Sequence, residues 1–242
     1  MDLNLQLLLL YGTISATLAK YVFVKSKTSW TDAQTNCQAK FTDMAPINNE
    51  NDQTLIQELA AGSTAYIWFG LQRNMTDTTK WLWSGGGEVT WFNWESGQPD
   101  GTGSQNFGIL VNFKWHDADD KLSGFSFCFS VHVVRQEKTW EEALKHCRKH
   151  YQDLATISSE TELMLIQKEL DKDVSTEHVW MGLHFLSGEW AWLDGQVREY
   201  EVWGSENKPE CPTKTCGALV VNKEIKQWNA HDCQEKLHFI CY

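Results

Sequence analysis

A repeat limits this chain more than any other feature: its second half restates its first, with Trp30 and Trp140 standing 110 positions apart. Ser29-Trp30-Thr31-Asp32-Ala33-Gln34, leading to Cys37, returns as Thr139-Trp140-Glu141-Glu142-Ala143-Leu144, leading to Cys147. Leu55-Ile56-Gln57 returns as Leu165-Ile166-Gln167, and Trp68-Phe69-Gly70-Leu71 as Trp180-Met181-Gly182-Leu183. Trp81 and Trp83 answer Trp190 and Trp192, Trp94 answers Trp203, and Trp115 with Cys128 answers Trp228 with Cys241. Of the thirteen tryptophans only Trp91 has no tryptophan partner, and it lies opposite Tyr200. The offset drifts little, so insertions are small and the halves must share one fold, joined near Phe129 to Val131.

Within each half the order of signals is the same. A β-branched and aromatic strand opens it, Tyr21 to Val24 and Val131 to Val134. Ser29 and Thr139 stand as helix N-caps, with Asp32 and Glu142 three residues on in a capping-box pattern. A second amphipathic helix is expected over Asp52 to Leu59 and over Glu160 to Leu170. Short aromatic strands and a long Gly-rich loop complete each unit, so the class is α+β. The 42% hydrophobic and 12% aromatic content supplies the cores this needs. The formal charge of −11, from 21 basic and 32 acidic side chains, argues against non-specific binding to nucleic acid, heparin or anionic membrane, because each needs a basic footprint.

The apolar stretch from Leu3 to Ala19 is too short and too interrupted by polar residues to span a bilayer, and it reads as a signal peptide over residues 1–19 cleaved before Lys20. No second apolar run of membrane-spanning length follows, so no membrane span is expected and the protein is expected to be secreted and extracellular. The sequon Asn74-Met75-Thr76 agrees, making Asn74 the expected N-glycosylation site. In that compartment disulfides are the default state of the seven cysteines.

Taken in order and twice over, these motifs resemble the C-type lectin-like domain: the Trp-containing helix ahead of a cysteine, the Trp-x-Gly-Leu strand, the Trp-x-Trp strand, a Pro-containing loop, and a Trp-led strand thirteen residues before a closing cysteine. The resemblance covers residues 20–130 and 131–242. It implies two tandem double-loop domains, each with two helices and short antiparallel sheets, whose long loop holds a calcium ion that coordinates sugar hydroxyls. It also implies bridges Cys37–Cys128, Cys147–Cys241 and Cys216–Cys233. The first half has Phe107 and Asp120 where the last of these would stand, so that bridge is expected to be missing there, leaving its loop less constrained. Cys211 is left unpaired, expected either to link two chains in a covalent dimer or to compete with Cys216 for Cys233.

The resemblance places a candidate calcium site in the first half at Gln98, Asp100, Gln105, His116 and Asp117, with Gln98, Asp100, Gln105 and Asp117 also meeting the sugar. Gln98-Pro99-Asp100 matches the version associated with galactose-type sugars. His116 stands where the family usually has Asn, and an imidazole nitrogen suits so hard a cation poorly. The set offers about five oxygens against the six to eight that calcium prefers. In the second half Lys208-Pro209-Glu210, Lys214 and Ala230 put two ammonium groups where a cation would sit and remove a carboxylate, so no calcium is expected there. Cys211, Cys216, His231 and Cys233 as a zinc set conflict with the disulfide reading, and His146 and His150, beside Lys145, Arg148 and Lys149, read as a solvated helix face. No nucleophile elbow, phosphate loop or His-Glu-x-x-His motif is present, which argues against an enzyme. The expected partners are therefore glycans or glycoproteins, bound through calcium by the first domain. The alternative is a metal-independent module that binds a protein partner.

Overall fold

The computed structural model describes residues 19–101, 104–172, 176–196, 198–204, 208–222 and 226–242, so the expected signal peptide, apart from Ala19, lies outside the described residues. The first half comprises β1 (Tyr21–Thr28), α1 (Trp30–Lys40), β2 (Asp43–Met44), α2 (Glu50–Leu59), β3 (Ile67–Arg73), β4 (Trp81–Trp83), β5 (Phe107–Val111), β6 (Lys114–Ala118) and β7 (Gly124–Phe129). The second comprises β8 (His132–Lys138), α3 (Trp140–His150), α4 (Glu160–Leu170), β9 (His178–Leu186), β10 (Glu189–Trp192), β11 (Cys216–Val220), β12 (Trp228–His231) and β13 (Leu237–Cys241). One sheet runs β1-β7-β3-β5-β6, with β2 on β7 and β4 on β3. The other runs β12-β11-β9-β13-β8, with β10 on β9. The α+β class and the two helices per half stand, but the sheets are mixed rather than antiparallel throughout. β7 runs parallel to β3, and β13 parallel to β9. The cause is that each half's last strand inserts between its first strand and its Trp-x-Gly-Leu strand.

Local chemistry repeats along with the sequence. Ser29 accepts from the Asp32 amide, while Thr139 and Glu142 close a full capping box. α2 starts two residues earlier than its apolar pattern suggests, because Asn49 caps it by accepting from the Asp52 amide. The indole of Trp30 donates to the Phe69 carbonyl at 2.8 Å and that of Trp140 to the equivalent Met181 carbonyl at 2.9 Å. Trp115 and Trp228, both fully buried, center the two aromatic cores, and Trp91 and Tyr200 stand edge-on to them at 5.5 and 6.0 Å, as their alignment in the repeat requires. The glycine of each Trp-x-Gly-Leu strand is fixed by packing: a Cβ on Gly70 would lie 3.1 Å from the Ala45 carbonyl oxygen, and one on Gly182 2.8 Å from that of Leu154.

Three disulfides, Cys37–Cys128, Cys147–Cys241 and Cys216–Cys233, tie the halves internally, and Cys211 is exposed and unpaired. The halves also pack on each other. Lys20 is buried and its ammonium meets Asp52 at 2.9 Å and Glu162 at 2.7 Å, carboxylates that occupy equivalent places on α2 and α4. Asn48 bridges the same two side chains, Thr161 donates to the Gly86 carbonyl at 3.0 Å, and the Phe129 and Tyr242 rings meet edge-on. Burial alone would depress the Lys20 ammonium, but the two adjacent carboxylates hold its pKa above the usual lysine value. Two carboxylates against one ammonium leave a surplus negative charge, and burial together with Asp52 pushes Glu162 upward despite Lys20.

Candidate functional site

The long loop of the first half, a cis Gln98–Pro99 turn, folds back on β6. Of the five residues expected at the site, Gln98 and Asp100 bond to Asp117, whose side chain is fully buried, while Gln105 and His116 border a depression beside it. Its Oδ1 accepts from the Asp100 amide at 3.1 Å and its Oδ2 from the Gly101 amide at 3.0 Å. The Gln98 side-chain oxygen accepts from the Asp117 amide at 3.2 Å, and its amide group lies 3.4 Å from the Asp100 carboxylate. Gln105, His116 and Asp117 border a surface depression of about 330 Å³, rimmed by Tyr66, Asp119 and Leu122.

A residue that motif reading misses completes the cluster. Arg73, the last residue of β3, places Nη2 3.1 Å from Asp117 Oδ2. Its Nη1 donates to the Thr78 carbonyl at 2.8 Å, and its guanidinium lies 4.4 Å above the Trp81 ring. The positive charge on the carboxylate is thus the chain's own, held by a cation–π contact and hydrogen bonds from both sides. The sequence does carry a signal for it: a basic residue two positions after the Trp-x-Gly-Leu motif, where the second half has Phe185.

Calcium does not fit this arrangement. The ion needs six to eight oxygens at about 2.3–2.6 Å. Asp117 already receives three N–H donors, one of them a guanidinium, and the Gln98 oxygen is committed to a backbone amide. A divalent cation brought to Asp117 would meet Arg73 as a like charge.

The second half replaces this cluster with a different one. Lys208 pairs with Glu201 at 2.8 Å, Arg198 pairs with both Glu201 and Glu189, and the Trp190 indole donates to the Pro209 carbonyl at 2.9 Å. Ala230 occupies the place of Asp117 and offers no side-chain oxygen. Of the imagined zinc set, Cys216 and Cys233 are spent on their disulfide, which withholds thiolates even though His184 lies within 4.8 Å of both sulfurs. His231 instead pairs with Glu235, and the His146 and His150 rings stand 4.6 Å apart on α3. Asn74 opens the turn after β3, its side-chain oxygen accepting from the Thr76 hydroxyl at 2.7 Å beside the exposed Met75. Among the described residues no helix is long and apolar enough to cross a membrane.

The chain is 26% identical over 255 residues to C-type mannose receptor 2 of Rattus norvegicus, covering 90% of this chain and 17% of the receptor. It is 24% identical over 252 residues to human lymphocyte antigen 75, covering 88% of this chain and 14% of that protein. It therefore spans less than a fifth of the length of these relatives. Among solved structures, human lithostathine aligns with 46% of this chain and 80% of its own length, at 21% identity and a TM-score of 0.43. The lectin C-type domain model matches residues 26–128 and again residues 136–242, so the chain belongs to the lectin C-type domain family, as a tandem pair.

Proposed function

We propose that this protein is a carbohydrate-binding lectin that works without calcium, with the first half as its binding half. The observation carrying this reading is the Arg73 guanidinium on the buried Asp117 carboxylate, which supplies from within the charge that a bound ion would bring. The loop then holds its shape through Arg73, Gln98 and the amides of Asp100 and Gly101, and its conformation does not vary with metal concentration.

The depression beside it suits a saccharide. Tyr66 and Leu122, 48% and 41% exposed, offer apolar surface to the C–H face of a sugar ring. Gln105, His116 and Asp119 offer donors and acceptors for its hydroxyls. The galactose-type preference attached to Gln98-Pro99-Asp100 acts through a bound ion, so it does not carry over to a metal-free loop. Secretion and glycosylation at Asn74 belong to the same reading, supported by three disulfides that require an oxidising compartment. The test is a glycan array probed with the whole chain, in calcium and in chelator. The expected result is the same set of bound glycans in both buffers, lost in Tyr66→Ala. Binding abolished by chelator contradicts the metal-free mechanism, and no binding to any glycan leaves the exposed Tyr66 and Leu122 rim to a protein partner.

A further inference from the structure

The repeat aligns Tyr66 with His178 and Ala118 with His231, so where the first half has its sugar-facing rim the second half has two imidazoles. Their ring centroids stand 4.4 Å apart, one at the start of β9 and the other at the end of β12. His231 is already oriented as a ligand. Its Nδ1–H donates to Glu235 Oε2 at 2.8 Å, and Glu235 is itself held by the Asp232 amide, which leaves the His231 Nε2 lone pair available. The Asn229 carboxamide nitrogen lies 3.3 Å from His178 Nε2, a contact that a metal ion bound at that nitrogen would displace.

We infer that His178 and His231 form a site for a borderline divalent transition cation, Zn²⁺ or Cu²⁺, with Glu235 orienting one ligand and water completing the coordination. Two imidazole nitrogens suit such ions and not calcium. The site is separate from the Arg73–Asp117 cluster and from the proposed sugar rim, so neither reading depends on the other. Among the described residues no carboxylate is seen bonded to the other histidine pair, His146 and His150, which lies among Lys145, Arg148 and Lys149 at the C-terminal end of α3. Lys214 is close enough to act on both His178 and Glu235, and its charge opposes the cation.

The experiment is calorimetric titration of the whole chain with zinc chloride, alongside the imidazole ¹⁵N signals of the unsubstituted protein. The expected result is one zinc site that shifts the His178 and His231 signals. That site is weakened at least about 10-fold by His178→Gln or His231→Gln, and by about 10-fold by Glu235→Gln, which keeps both rings. Cys211→Ser and His146→Gln leave it unchanged. Absence of zinc binding, ring signals that move at His146 and His150 instead, or loss of the site in Cys211→Ser overturns the inference. The ring signals are read on the native sequence, so a variant that fails to fold does not decide the outcome.

Discussion

At the end of its Trp-x-Gly-Leu strand the first half places Arg73 over Trp81 and onto Asp117; the second half places Phe185 against the equivalent Trp190 and has Ala230 in place of Asp117. The cation and the anion are exchanged together for two apolar residues, which is how a private ion pair behaves when one copy of a fold dispenses with it. A carboxylate kept for an external ion would need no lysine or arginine to vanish with it. The second difference runs the other way. Where the second half has the Cys216–Cys233 bridge, the first stacks Phe107 on Trp30 at 4.5 Å and lets Asp120 accept from the Thr31 amide at 2.8 Å. The loop lacking the disulfide is thus anchored at the same two points, the indole and the N-terminus of the first helix. In the second half the Trp140 ring packs at a tilt against His184, 4.9 Å between centroids, and its backbone N–H donates to the Cys233 carbonyl.

The contrast can be broken by substitution. Arg73→Met should have the largest effect, because it leaves Asp117 buried without its cation, and it should lower stability in denaturant by about 3–5 kcal/mol. Replacing Phe185 by Met should cost far less, since no charge depends on it. Removing the second half's bridge with Cys216→Ser and Cys233→Ser together should cost about 3 kcal/mol, as expected for a loop of this length, read from the same unfolding curve. Asp120→Ala, which removes only one side-chain acceptor from the helix end, should cost about 1 kcal/mol.

The smallest effect concerns Glu162 at the junction. The Glu162 pKa is raised in the folded state above its ordinary value of 4.5, so the folded chain binds a proton there more readily than the unfolded chain. Stability from this source is fully present below the unfolded pKa and is lost as pH rises through the folded one. Denaturant midpoints measured from pH 7 down to 4.5 should therefore rise for the native sequence relative to Glu162→Gln.

Much of this architecture can be read in the chain itself because the repeat doubles every local signal. Two N-caps, two Trp-x-Gly-Leu strands and two closing cysteines each support the other's assignment. What escapes such reading depends on contacts across long stretches of sequence. Arg73 and Asp117 are 44 residues apart, and Lys20 meets partners 32 and 142 residues away, so no motif spans them. The parallel pairing of β3 with β7 is hidden for the same reason, since strand patterning gives the faces of a strand but not its neighbor. Gln98 and Asp100 do meet Asp117, with Gln105 and His116 bordering the depression beside it, and the feature no motif shows is the Arg73 cation on that carboxylate.

The most direct measurement is the thermal unfolding midpoint of the whole chain in chelator and in millimolar calcium. A ligand that binds only the folded state must raise that midpoint, by about 2.7 kcal/mol of stability at a hundredfold excess over its dissociation constant. With Arg73 seated on Asp117 the two curves should coincide. A rise of several degrees in calcium, abolished by Asp117→Asn, would show that the ion displaces the guanidinium and would contradict the account.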